Sequence, residues 1–163
     1  MVSQGEVLSV AALIHAADTA SAAEPEPTGV LRHTAAQNAS TCRGLLADGE
    51  NLEDCWRFGI LQTLDDYTSA LHRGGPGLAA GVFTDEPPRT GAAEVDAAFA
   101  ALAEYLAERD GWQSPHWAHD SMRRTASWYP AVPAILHGEA RRDSPEAFRR
   151  RGILITSRSL ARA

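Results

Sequence analysis

Large apolar residues recur at Leu52, Trp56, Ile60, Leu64, Tyr67 and Leu71, in steps of three and four. That spacing keeps them on one face of an α-helix and predicts a helix over 52–72. Asn51 stands where an N-cap is needed, and Glu53 and Asp54 put negative charge on the first turn. Gly74-Gly75-Pro76-Gly77 predicts its end. An amphipathic helix of about six turns exposes a stripe that only other elements can cover, so further helices are expected to pack around it.

The same periodicity predicts the neighbours. Val7, Val10, Leu13, Ile14 and Ala17 make the apolar face of a first helix over 6–23, before Glu24-Pro25-Glu26-Pro27 breaks the pattern. A second helix is expected from Thr28 as N-cap to about Ala47, with Leu31, Ala35, Ala39, Cys42 and Leu46 facing inward. Residues 74–91 read as a linker in which Phe83 plugs the core, stiffened by Pro87-Pro88. Over 92–109, Val95, Phe99, Leu102 and Leu106 share a face, and Glu94, Glu104, Glu108 and Arg109 mark the solvated side. Asp110-Gly111 ends that helix.

Residues 112–130 are aromatic and irregular, with Trp112, Trp117 and Trp128 covering the end of the bundle or lining a pocket, and Ser114-Pro115 starting a short turn. Another helix is expected over 132–142 after Pro133, and a helical turn from Asp143-Ser144-Pro145-Glu146 to Arg151, stopped by Gly152. Ile153-Leu154-Ile155 is β-prone but too short to support itself, and Ser157 caps a last turn. The expected fold is mainly α: a single-domain irregular bundle over 1–163 of about five or six helices with a short extended C-terminal segment. Residues 1–50 form an N-terminal helical pair and 144–163 a basic, apolar tail. Trp56, Ile60, Leu64, Phe99, Leu102 and Leu106 are the expected core.

Composition agrees with a packed domain, at 44% hydrophobic and 22% charged residues. No run of 18 apolar residues exists to cross a membrane. The apolar stretch near the N-terminus has no basic segment before it, so a signal peptide is not expected. Cys42 and Cys55 do not make a disulfide framework, and a cytoplasmic setting with reduced thiols is the default. Net charge is −6, but unevenly spread: residues 123–163 carry nine Arg and three acids, while the rest is strongly acidic. Either the basic end is an interaction surface, or it folds back on the acidic body.

Candidate chemistry is sparse. His116 and His119, with Asp120 next to them, are spaced to share a helix face and make the best metal candidate, but no spacing marks further ligands. Asp65-Asp66 and Glu53-Asp54 diverge by about 100° within each pair and belong to a solvated face. His72-Arg73-Gly74-Gly75-Pro76-Gly77 lacks the Gly-Lys-Ser/Thr ending of a phosphate loop. Arg149-Arg150-Arg151 offers positive charge, but the acidic body would repel DNA at long range, so nucleic acid is disfavoured as a partner. Phe148, Ile153 and Ile155 are too apolar for a free tail. With Arg149, Arg150 and Arg151 they form the expected partner-binding element. Three consecutive arginines on a helical turn point in three directions, so at least one should face away from the body.

The segments Trp56-Arg-Phe-Gly-Ile-Leu-Gln-Thr-Leu-Asp-Asp-Tyr67, Glu86-Pro-Pro-Arg-Thr-Gly91, Ala100-Ala-Leu-Ala-Glu-Tyr-Leu-Ala107 and Ser144-Pro-Glu-Ala-Phe-Arg-Arg-Arg-Gly-Ile-Leu-Ile155 stand in an order that resembles small actinobacterial helical proteins. Those proteins are encoded beside nucleotidyltransferase-like toxin genes, in pairs that look like toxin–antitoxin modules of the AbiE type. The resemblance covers roughly residues 54–163 and excludes the N-terminal fifty. It implies a non-catalytic protein-binding role, as antitoxin or accessory partner of such a toxin, with no cofactor. The other class of function left open is a small metal- or ligand-binding enzyme with its site in 112–130, built on His116, His119, Asp120 and the tryptophans.

Overall fold

A computed structural model describes Leu31 and residues 33–161, all within one compact unit, Leu31–Ala163. The helix expected over 6–23 and the expected cap at Thr28 lie outside the described residues. The described part is mainly α, with five helices and, in place of a sheet, one isolated parallel bridge between Trp128 and Ile153.

Helix α1 is Ala35–Ala47. Its cap is Thr34: the Thr34 hydroxyl accepts from Gln37 N at 3.3 Å, and the Gln37 side chain accepts from Thr34 N at 3.0 Å. This reciprocal box satisfies two orphan donors of the first turn. Helix α2 runs on through Leu52–Cys55, Trp56–Leu61 and Gln62–Ala80. The Asn51 side chain accepts from Asp54 N at 3.0 Å, as the cap expected there should.

The middle piece of α2, Trp56–Leu61, is π-helical. The sequence explains why. Leu52, Trp56, Ile60 and Leu64 are four apart, and on an α-helix each such step drifts by about 40°. A wider turn takes up that drift, keeping Trp56, Ile60 and Leu64 buried together. Gly59 inside it faces Cys42 of α1 so closely that an added Cβ would stand 2.2 Å from the Cys42 Sγ. The expected end at 74–77 is instead a kink: Gly75, at φ 76°, turns the chain before Pro76 opens a further helical piece to Ala80. The expected linker is thus partly helical, and the turn Gly81–Phe83 carries the Phe83 side chain fully into the core.

Helix α3, Ala93–Asp110, is buried nearly all round. It is the central element, more enclosed than α2. Its alanines leave room for neighbours to come close, and Phe99, Leu102 and Leu106 are fully covered. The acidic side expected to be solvated is only partly so. Glu108 and Arg109 are exposed, but Glu104 is 3% exposed. Asp96 is also buried, accepting from Thr90 N and Oγ1 at 2.9 Å each, which ties the entry loop to the first turn of α3.

The segment expected as one helix over 132–142 divides into a 3-10 turn, Ala134–Leu136, and α4, His137–Asp143. Helix α5 is the single turn Glu146–Arg149, packed on α3.

Candidate functional site

The C-terminal tail docks on its own chain. Phe148 is fully buried with its ring 5.8 Å from that of Tyr105, and Ile153 and Ile155 are fully buried as well. Backbone bonds pair the tail with 125–128: Thr125 N to Arg151 O at 2.9 Å, Trp128 N to Gly152 O at 2.8 Å, and Leu154 N to Trp128 O at 2.8 Å. Ser144, buried, donates to Ile153 O at 3.1 Å and accepts from Ile155 N at 3.3 Å. Phe148, Ile153 and Ile155 were expected in a partner interface, and here their own chain covers them. The cause is this paired strip, which gives the triplet an edge to lie on.

The three arginines divide as their helical directions require. Arg149 is exposed, and its side chain makes no hydrogen bond or ion pair among the described residues. Arg150, about half exposed, pairs with Glu104 of α3. Arg151 is buried, donates to Ala147 O at 2.8 Å and to Ala118 O at 2.6 Å, and pairs with the same Glu104. Two of the three therefore reach one buried carboxylate. Burial, then the Arg150 charge and, less, the Arg124 charge push the Arg151 guanidinium down to about 10, with Glu108 opposing them.

His116 and His119 occupy a 3-10 turn, His116–His119, after Pro115. The His119 Nε2 lies 2.6 Å from the Ser114 hydroxyl. Asp120 accepts from Met122 N at 2.9 Å and pairs with Arg89 at 2.6 Å. The Met122 N–H, then the Arg89 and Arg123 charges, hold its carboxyl below the usual range. Among the described residues no three His, Cys, Asp or Glu side chains gather to hold a metal ion. The metal set His116, His119 and Asp120 is thus not completed by any third-element ligand, and Asp120 is engaged elsewhere.

What the fold does assemble is a basic concavity of about 250 Å³, lined by His119, Asp120, Arg123, Arg124, Arg150 and Arg151. Arg123 is fully buried. It donates to Glu86 Oε1 at 3.0 Å and Pro87 O at 2.7 Å, with its guanidinium 5.2 Å from the Trp117 ring centre. Arg124 is exposed and donates to Arg150 O at 3.2 Å. A second groove, lined by Thr84, Glu86, Pro115, His116 and Trp117, adjoins it through His119, Asp120 and Ser121.

Arg123, Arg124 and Glu104 were missed from sequence. One signal was legible for Glu104: Ala100, Ala101, Ala103 and Ala107 surround it, and small neighbours let other segments close over an acid. Nothing local marked the Arg123-Arg124 pair, because its partners Glu86, Pro87 and Arg150 come from distant stretches of the chain. Comparison of the chain with family models, curated proteins and solved structures finds no match.

Proposed function

We propose that this chain is a non-catalytic binding protein that presents a basic face to an acidic protein partner, as antitoxin or accessory component to a nucleotidyltransferase-like toxin. The observation that carries the binding role is the surface where the tail docks. Arg124 and Arg150 are exposed there, Arg149 is exposed on the tail itself, and Met122, next in sequence to the buried Arg123, is 74% exposed. A chain of net charge −6 that gathers arginines beside an uncovered apolar side chain has the charge contrast that steers an acidic partner. The choice of partner comes from the resemblance in residues 54–163.

The test is co-purification and size-exclusion chromatography of the chain with the product of the neighbouring gene. A complex that weakens with salt and with Arg149→Gln supports the reading. No complex with that product removes the antitoxin role.

A further inference from the structure

The basic concavity holds more positive charge than its acids neutralise. Arg123 is matched by Glu86, and Asp120 at the rim by Arg89. Glu104, beneath, is shared by Arg150 and Arg151. Among the described residues, Arg124 has only the Arg150 carbonyl. Four arginines thus line the concavity against the single acid Asp120. Burial, then the Arg150 charge, depresses Arg151, with Glu108 opposing. An entering dianion would relieve that repulsion, and Arg124 and Arg150 still have exposed N–H groups to offer it.

We propose that this concavity is an oxyanion site for the phosphate group of a small phosphorylated molecule. Arg124 and Arg150 donate to the phosphate oxygens, while Arg151 supplies charge from beneath, held by Glu104 and the Ala118 and Ala147 carbonyls. Four arginines against one acid in the lining suit a phosphate dianion, and a space of about 250 Å³ has room for such a group. The remainder of the molecule runs into the adjoining groove, about 630 Å³, where Thr84, Glu86 and His116 offer polar contacts. Glu104 is a positioning residue: it touches the arginines and not the ligand. This site goes beyond the protein-partner reading and is tested on the chain alone, so its failure leaves that reading standing.

The experiment is calorimetric titration of the full chain, in buffer without phosphate, with inorganic phosphate, ribose 5-phosphate and succinate. Phosphate is expected to bind, and ribose 5-phosphate to bind more tightly through the second groove. Arg124→Gln is expected to weaken both about tenfold or more, the loss of a charge-assisted hydrogen bond. Arg124 is exposed, so this variant should melt with the parent, and lost binding then reports the site and not the fold. Equal affinity for phosphate and ribose 5-phosphate would overturn the role of the second groove. Succinate binding as tightly as phosphate would overturn the phosphate assignment in favour of carboxylates. No binding of phosphate, or binding untouched by Arg124→Gln, would overturn the site itself.

Discussion

Tyr67 of α2 donates its hydroxyl hydrogen to Asp110 Oδ2 at the end of α3, across 2.6 Å. Trp112 Nε1 donates to the same hydroxyl at 2.8 Å, and Arg109 grips Asp110 through Nε at 2.9 Å and Nη2 at 2.8 Å. One phenol thereby joins two helices and the aromatic segment. Tyr67→Phe keeps the ring but leaves the Asp110 and Trp112 groups without it, and should cost about 1–3 kcal/mol in denaturant unfolding. A loss indistinguishable from zero would mean that water replaces the hydroxyl without penalty.

The same network sets a pH dependence with a definite sign. Burial, then the Asp110 hydrogen bond, pushes the Tyr67 phenol up from 10.0 to about 12. Its contribution is complete below the unfolded value and is lost as pH rises through the folded one, so stability should fall between 10 and about 12. Asp110 is shifted the other way, held down chiefly by the Arg109 hydrogen bond. Its contribution is present above the ordinary carboxylate pKa of 3.8 and fades as pH drops through the lowered value. Urea midpoints measured against pH should show both limbs. Tyr67→Phe should flatten the alkaline one and Asp110→Asn the acid one.

Leu64 follows the π-helical turn on the buried face of α2, at 4% exposure. Leu64→Ala should cost about 2–5 kcal/mol, the transfer loss plus a cavity. Phe58, on the same turn but 46% exposed, gives the contrast. Phe58→Ala should stay within about 0.5 kcal/mol. Equal losses at the two positions would show that the π-helical turn does not direct them to different environments.

Periodicity made Trp56, Ile60, Leu64, Phe99, Leu102 and Leu106 legible as core, because burial on a helix repeats with the turn, and all six are buried. Asn51 and Gly111 were legible as helix ends for a local reason: cap chemistry needs only a few neighbouring residues. Thr34 in place of Thr28 shows the limit, since several Thr and Ser residues compete and the pattern does not rank them. The basic concavity was only partly legible. Its arginines stand out in composition, but their meeting at Glu104 depends on the tail reaching α3 from more than forty positions away. No helical or strand period carries such a long-range pairing.

Two glycines should respond oppositely to alanine. Gly152 has φ 82°, and an added Cβ would stand 2.1 Å from the carbonyl oxygen of Thr125, the residue whose N–H donates to Arg151 O. Gly152→Ala should therefore destabilise by more than about 1 kcal/mol. Gly138, in α4, has nothing within 4 Å of such a Cβ. Gly138→Ala should be neutral or stabilising by up to about 1 kcal/mol. Thermal melts of the two variants decide the matter, and a stable Gly152→Ala would mean the tail is not seated as described.

The arginine run offers the sharpest separation of clasp from recognition surface. Arg149 is exposed and unpaired among the described residues, so Arg149→Gln should leave melting unchanged within about 0.5 kcal/mol. Arg151 is buried, bonded to two carbonyls and paired with Glu104. Arg151→Gln leaves those acceptors and a buried carboxylate short of a partner, and should cost about 3–5 kcal/mol. Removing the carboxylate as well should recover part of that loss. The double variant Arg151→Gln with Glu104→Gln is thus expected to be less destabilised than the sum of the two single changes, by about 0.5–3 kcal/mol. Arg150 complicates the cycle because it shares Glu104, so the same cycle in an Arg150→Gln background should show a larger coupling, with one counter-ion left for the acid. Changing all three arginines together would melt far below the parent. That result would report the loss of both counter-ions of Glu104, and says nothing of whether Arg149 and Arg150 meet a partner. Additive single and double losses would show instead that Glu104 and Arg151 are neighbours without being coupled, and that the ion pair does not hold the tail.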